Sequence, residues 1–558
     1  MKILFIIFSI IPWIVNSQIK YPTNYFSNPL EIPLILNGNF GEARSNHFHS
    51  GIDIKTQLKE GFKILSAADG YISRIKIAHG GFGKAIYIDH PNGYTTVYAH
   101  LKKFNNEIER FIKKYQYKRQ SYEIDLYLNP KDIKVVNHQI IAISGNTGSS
   151  SGPHLHFETR KSSSQKALNP LLFGIDIKDT KRPQVNSIYM YKKMSLNDIS
   201  EPIKLELSKI NDSTYYTGKI KENGLISFGV NGFDQQDLAN NRNGIYKIST
   251  FYINKLINSI TFDSFFFEES IKINTLIDYP YYIINKQRIL KLFKEEENDL
   301  SIYTNENNGF IDIKKKSSIY KVKISDIKGN NVFINIPINF GESNQKITTN
   351  SENILFEKKI DNKLEYDFKY ETSNVTIPKN TFLKNVKLKI KYSIDTLKVI
   401  NPYLAVFKNI KIKFQNPNNK KGNYLAIKDH NGNESFASSK LNSQNYFELK
   451  TKKLGLYYIK NDSIYPTINS INFKNGDWIS NNNFLKFKIT DQESGIKKYK
   501  GEINGKWMLF EYEYKKNQLS YEFDSKYLKK SKNKVEIEVE DMAGNTIIKT
   551  YTFYRKTN

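Results

Sequence analysis

Residues 145–160 read Gly-Asn-Thr-Gly-Ser-Ser-Ser-Gly-Pro-His-Leu-His-Phe-Glu-Thr-Arg. The first nine are small turn-formers, and the glycines with Pro153 favour a tight loop. From His154 onward polar and apolar residues alternate, which predicts a strand. Side chains alternate faces along a strand, so His154, His156 and Glu158 share one face, with Leu155 and Phe157 on the other. Imidazoles two residues apart stand roughly 7 Å from each other. That spacing suits one metal ligand beside one proton-handling group. Glu158 reads either as an orienter of a histidine or as an ordinary strand-end acid. Ser149, Ser150 and Ser151 lie in no nucleophile-elbow pattern and read as loop-formers.

A second group is Asn46-His-Phe-His-Ser-Gly-Ile-Asp-Ile54. His49 and Asp53 are four apart, yet Gly51 and the β-branched Ile52 and Ile54 argue for a turn into a strand rather than a helix. Such a turn can aim an imidazole and a carboxylate at one ion. With His156 they make a His–Asp–His set of the right hardness for zinc, with a fourth position left for water as a catalytic zinc requires. His47 forms its own His-x-His with His49 and could take its place. Arg44 could bind a substrate carboxylate or form a structural salt bridge. Eight of the nine histidines lie between His47 and His156, which puts the chemistry in the first third of the chain. His79 and His430 read as turn residues, and His90 and His138 as exposed.

The elements that must position these groups are short strands. Examples are Gly70-Tyr-Ile-Ser-Arg-Ile-Lys-Ile77, Ala85-Ile-Tyr-Ile-Asp89 and Tyr94-Thr-Thr-Val-Tyr-Ala99, and Pro91-Asn-Gly93 marks a hairpin between the last two. One interruption, residues 107–117, sets Ile108, Phe111, Ile112 and Tyr115 at helical spacing. That helix would either wall a substrate groove or cover a sheet edge.

Beyond Asp176 strands continue and motifs repeat. Pro183-Gln-Val-Asn-Ser-Ile188 matches Pro466-Thr-Ile-Asn-Ser-Ile471, and Asp326, Asp429 and Asp541 each open an Asp-x-x-Gly-Asn turn. Repeated entry and turn motifs imply β-sandwich modules of about a hundred residues. Residues 287–298 read as a helix inserted in the first of them. The expected organisation is a leader over 1–17, a metallopeptidase unit over 18–175, and sandwiches over 176–345, 346–462 and 463–558.

Three motifs occur together here: His49-x-x-x-Asp53, Tyr98-Ala-His100-Leu101, and Gly145-Asn-Thr-Gly148 followed by Gly152-Pro-His-Leu-His-Phe-Glu158. In this order, over roughly residues 38–172, the chain resembles the lysostaphin/LytM-type zinc endopeptidases of bacterial cell walls. The expected fold is all-β: a lysostaphin-like β-sheet peptidase domain, which the resemblance implies, followed by about three immunoglobulin-like β-sandwiches, which the repeated motifs imply. It implies one Zn2+ per chain held by His49, Asp53 and His156, with His100 and His154 as the non-ligand catalytic histidines. It favours His49 over His47. The implied activity is hydrolysis of peptide bonds in peptidoglycan stems or cross-bridges. The segment between His100 and Lys134 is longer than in the minimal family domain, which bears on groove shape.

Composition bounds the setting. Lys2 followed by the apolar residues 3–15 reads as a secretory signal, too short and too interrupted by Pro12 for a stable transmembrane anchor. The expected location is outside the cytoplasm: the periplasm, the cell surface or, as a secreted protein, the medium. The chain has no cysteine, so it uses no disulfides and carries no lipid on cysteine. Its net charge of +27 falls to +26 without the leader and suits anionic cell-envelope polymers. Nucleic acid is excluded as a partner, because no basic helix or aromatic–basic reader motif occurs. Two rival readings are a non-catalytic wall-binding or hydrolase-regulating scaffold that keeps the peptidase fold, and an adhesin whose tail does the binding.

Overall fold

The computed structural model describes residues 21–195, 198–314, 317–343, 358–524, 528 and 531–556. The expected leader over 1–17 lies outside the described residues. The protein is mostly β-sheet. Among the described residues no helix is long and apolar enough to cross a membrane.

The first unit is an antiparallel sheet. Its strands run in the spatial order Leu36–Gly38, Ile52–Lys55, His154–Lys161, Tyr94–Ala99, Lys84–Asp89, Gly70–Ile77 and Ile124–Tyr127. Ile52, Ile54, Ile75, Ile86, Tyr98, Leu155 and Phe157 fill the core on one face. The alternation read along 154–158 thus sends Leu155 and Phe157 inward. A small sheet of Lys63–Leu65, Ile140–Ser144 and Leu101–Phe104 closes one side. The hairpin at Pro91-Asn-Gly93 forms as its residues dictate, with His90 N–H donating to the Tyr94 carbonyl at 2.9 Å.

The predicted helix spans Asn106–Arg119. The Asn105 side chain caps it by accepting from Ile108 N–H at 3.0 Å. Ile108 and Ile112 are buried in the sheet core. The helix also carries Tyr117 against Trp507 of the last unit, with ring centroids 5.3 Å apart. It is therefore a platform between units as well as a cover.

Three further pairs of sheets follow in sequence, within residues 184–340, 358–461 and 467–554. In the second of these, Val375 and Ile412 of one sheet pack with Leu397 and Tyr457 of the other. The strands alternate buried and exposed residues, as in Ile410–Gln415, because each sheet has one face on the core and one in water.

The expected helix at 287–298 does not form. Asp278 caps a helix at Tyr279–Asn285 instead, and Lys286 ends it in the left-handed conformation at φ 56°. Leu290–Lys291 is then drawn into the sheet against Gly229 and Val230. Tertiary pairing overrides a helical pattern that short apolar runs cannot by themselves distinguish from a strand.

Candidate metal centre and its two flanking histidines

Strand register builds the centre. His156 lies directly opposite Asp53 on one neighbouring strand and Ala99 on the other. Asp53 and His156, 103 residues apart, thereby become cross-strand partners, and His100 follows at the end of the third strand. The His49 side chain reaches the same point from the turn before Ile52–Lys55.

The three donors converge. His49 Nε2 is 3.0 Å from Asp53 Oδ1 and 3.1 Å from His156 Nδ1, and His156 Nδ1 is 2.8 Å from the same Oδ1. All three side chains are buried. The opposite nitrogens are each occupied. His49 Nδ1–H donates to the Asn39 carbonyl at 2.8 Å, and His156 Nε2–H donates to Glu158 Oε1 at 2.9 Å. Two imidazole lone pairs and a carboxylate oxygen therefore face one another, an arrangement that is repulsive without a cation between them. The donor set fits a metal ion. Burial pulls His156 down, but its bonds to Asp53 and Glu158 hold it up to about 9. Burial raises Asp53, yet His49, His154 and His156 hold it well below the usual carboxylate range.

A second ring of groups fixes these donors. Glu158 is fully buried. Its Oε2 accepts from Arg160 Nε at 2.6 Å, and its Oε1 also accepts from Ser50 Oγ. Burial raises this carboxyl, but Arg160 and His156 bring it down to about 2. Glu158 is thus the orienter of His156 and no surface acid. Arg44 Nη2 binds Asp53 Oδ2 at 3.1 Å and Glu42 Oε2 at 3.3 Å, which is the salt-bridge alternative.

His100 and His154 flank the centre, their ring centroids 4.8 Å apart. Each is pinned by Nδ1–H to a backbone carbonyl, His100 to Thr147 at 2.9 Å and His154 to Gly152 at 2.8 Å. Each therefore presents an unprotonated Nε2. His154 Nε2 stands 3.4 Å from Asp53 Oδ1. Burial, with His156 and His154 beside it, pushes His100 down to about 3, so it stays neutral. His100 holds φ 59°, a conformation that non-glycine residues adopt when surroundings impose it.

The glycines of the 145–153 loop let it pass close to its neighbour. Gly148 has φ 72°, and a Cβ there would lie 2.3 Å from the Gly83 nitrogen. Ser149 N–H donates to the Gly81 carbonyl at 2.8 Å. Ser150 Oγ is bonded to the Gly152 carbonyl, so the serines build the loop.

His47 is exposed and bonded to the Ser45 carbonyl, outside the cluster. His90 is a correction. It is buried, with Nδ1 on the Asp69 carbonyl and Nε2 on Thr96 Oγ1 at 2.8 Å each. A hairpin residue was expected at the surface, but the N-terminal segment covers it through Phe26, 5.1 Å between centroids. His138 and His430 are exposed as expected.

Two distant regions hold the centre from outside, which the sequence did not signal. Phe48, beside His49, packs on Phe262 and Phe265 at 5.8 and 5.3 Å, and its N–H donates to Ser270 Oγ at 2.7 Å. From the last unit, Lys515 Nζ donates to the carbonyls of Asn146 and Ser150, and Tyr514 Oη to the Gly148 carbonyl at 3.2 Å. Glu511 pairs with buried Lys84 at 2.9 Å.

Fold and cluster together define a small antiparallel sheet domain built on a His–Asp–His group able to hold a metal. Residues 47–117 match the model of Peptidase family M23. The matched stretch includes His49, Asp53 and His100. The chain is 33% identical over 112 residues to DD-carboxypeptidase/endopeptidase Mpg of Neisseria meningitidis, covering 20% of each protein. It is 31% identical over 123 residues to an uncharacterised metalloprotease of Haemophilus influenzae, covering 22% of this chain and 20% of the relative. The matched region thus spans about a fifth of these relatives. The catalytic domain of lysostaphin from Staphylococcus simulans aligns with 23% identity and a TM-score of 0.19, over 25% of this chain and 91% of that one.

Proposed function

We propose that the protein is an exported zinc metalloendopeptidase that hydrolyses peptide bonds in bacterial peptidoglycan. The observation that carries the reading is the convergence of His49, Asp53 and His156 within 4.8 Å of one another, beside two imidazoles with free Nε2 atoms. His49, Asp53 and His156 would hold one Zn2+. Zinc bound there supplies Lewis acidity and a lowered pKa for coordinated solvent. His100 and His154 are the catalytic residues. Their Nδ1 bonds fix both rings, leaving Nε2 of one to accept a proton and that of the other, when protonated, to donate to the oxyanion or the departing amine. Glu158 and Arg44 are positioning residues, since each acts through a proposed ligand.

The division into a peptidase unit over 18–175 and immunoglobulin-like sandwiches over 176–345, 346–462 and 463–558 belongs to the same reading. So do export, supported by residues 1–17, and attraction to anionic envelope polymers, supported by the net charge of +27. The intact ligand and histidine set disfavours the scaffold alternative. The test is mass spectrometry of fragments released from purified peptidoglycan by the protein without its leader, with metal content measured alongside. One zinc per chain and peptide-bond cleavage are expected. Zinc-loaded protein that releases no peptide fragment overturns the reading.

A further inference from the structure

Two more clusters of possible ligands occur, and both are made of carboxylates alone. Asp179, Asp234 and Asp326 bring ligand oxygens within 4.8 Å of one another, and so do Asp462, Asp491 and Asp541. The two sets occupy matching places in two repeated units. Asp179 and Asp462 each stand four residues before the proline of the repeated Pro183 and Pro466 motifs. Asp234 and Asp491 each follow a strand, Gly224–Phe233 and Phe484–Thr490, and each precedes a glutamine. Asp326 and Asp541 open the Asp-x-x-Gly-Asn turns. The turn asparagine ties the set together in both cases. Asn330 Nδ2 donates to Asp326 Oδ2 at 2.7 Å and to the Asp179 carbonyl at 3.3 Å. Asn545 Nδ2 does the same to Asp541 Oδ2 at 2.8 Å and the Asp462 carbonyl at 3.0 Å.

An independent observation points to a ligand. Asp234 is 6% exposed, and its Oδ1 is buried with no hydrogen-bond partner. Asp491 Oδ1 also lacks a hydrogen-bond partner, on a residue that is half-buried. Buried polar atoms are rarely left unpaired. Among the described residues, none of the six carboxylates makes an ion pair with Lys or Arg. A cavity of about 20 Å³ abuts Asp179 and Asp234, room for roughly one small ion or water.

The third Asp-x-x-Gly-Asn turn is an internal control. Asp429 accepts from Asn431 N–H at 2.9 Å and Asn433 N–H at 2.8 Å, and it belongs to none of the carboxylate clusters found among the described residues. The turn closes without two further acids, so the other two sets serve something besides turn formation.

We propose that Asp179–Asp234–Asp326 and Asp462–Asp491–Asp541 are two Ca2+ sites that lock the joints between units. Three hard oxygen donors suit a hard divalent cation, and flexible sets of carboxylates and carbonyls favour Ca2+ over the strictly octahedral Mg2+. The first set sits where the peptidase unit meets the next. Gln236, two residues past Asp234, accepts from Leu36 N–H at 2.8 Å and donates to the Leu34 carbonyl at 3.0 Å. Gly244 N–H donates to Asn39 Oδ1 at 2.8 Å, on the residue whose carbonyl holds His49. The second set joins the linker residue Asp462 to the last unit, where Ser494 N–H donates to Asp462 Oδ2 at 3.2 Å.

The experiment is calorimetric titration of Ca2+ into the whole leader-free protein, freed of Ca2+ and saturated with zinc, with Tm followed in parallel. Two Ca2+ per chain and a raised Tm are expected. Asp234→Asn and Asp491→Asn should each bind one, and the double variant none. Both variants remove like-charge repulsion, so in chelator their Tm should equal or exceed that of the parent; this separates lost binding from lost folding. Absence of Ca2+ binding at millimolar concentration overturns the proposal. So do equal affinity for Mg2+, or Ca2+ binding that survives in the double variant.

Discussion

At three places the protein gathers three side chains that could hold a metal ion, and these clusters are built on opposite principles. At His49, Asp53 and His156 every atom has a partner: Asn39, Glu158 and Arg44 take up the outer nitrogens and oxygen. Arg160 in turn neutralises Glu158. Asp53 and His156 sit on central strands of a sheet, fixed by pairing on both sides, and His49 on the turn before the first of them. At Asp234 and Asp491 a carboxylate oxygen is left without a partner, no Lys or Arg among the described residues pairs with them, and the donors sit at strand ends and on turns. The first arrangement has each donor oriented from outside by a partner of its own, which suits chemistry. The second is poorly satisfied until a cation arrives, which suits a joint.

That contrast can be broken most severely at the ligands. His156→Ala or Asp53→Ala should drop peptidoglycan digestion to background and zinc content to none, while the two Ca2+ equivalents remain. Loss of Ca2+ with the zinc would mean that the clusters are not separable. His100→Ala should retain zinc but slow turnover by roughly 10²–10⁴-fold; digestion at the parental rate contradicts its catalytic role. Glu158→Gln tests the supporting ring. It should weaken zinc affinity or activity about 10–100-fold, read by competition with a chelator. Lys515→Ala releases the 145–153 loop from the last unit. Roughly 1–2 kcal/mol of stability and earlier proteolytic cutting in that loop are expected, with a smaller effect on turnover than the Glu158 change. Asp429→Asn should do least, about 0.5–1 kcal/mol with unchanged Ca2+ stoichiometry. A lost Ca2+ there would erase the distinction between a plain turn and a site.

Much of the centre was legible because strands alternate faces. That rule alone put His154, His156 and Glu158 together, and the hydrogen bond from His156 to Glu158 follows from it. The helix was legible from Ile108 and Ile112, and the hairpin from Pro91-Asn-Gly93. Less local features were not. The 287–298 segment carries a helical pattern but pairs as a strand at Leu290. His90 sits in a hairpin yet is buried by a segment more than sixty residues earlier. The Asp-x-x-Gly-Asn turns were visible, but Asp179, Asp234, Asp462 and Asp491 were not, because nothing local brings them to those turns.

By itself the sequence determined which residues could bind metal or move protons, and which of them share a strand face, since those follow from side-chain chemistry and a two-residue period. Tertiary structure alone decided that Asp53 lies opposite His156, that His49 rather than His47 joins them, and that Lys515 reaches the loop 365 residues away from it at Ser150. The reason is physical: register between strands and docking between units are set by burial of surfaces distant in the chain, and no local spacing encodes them.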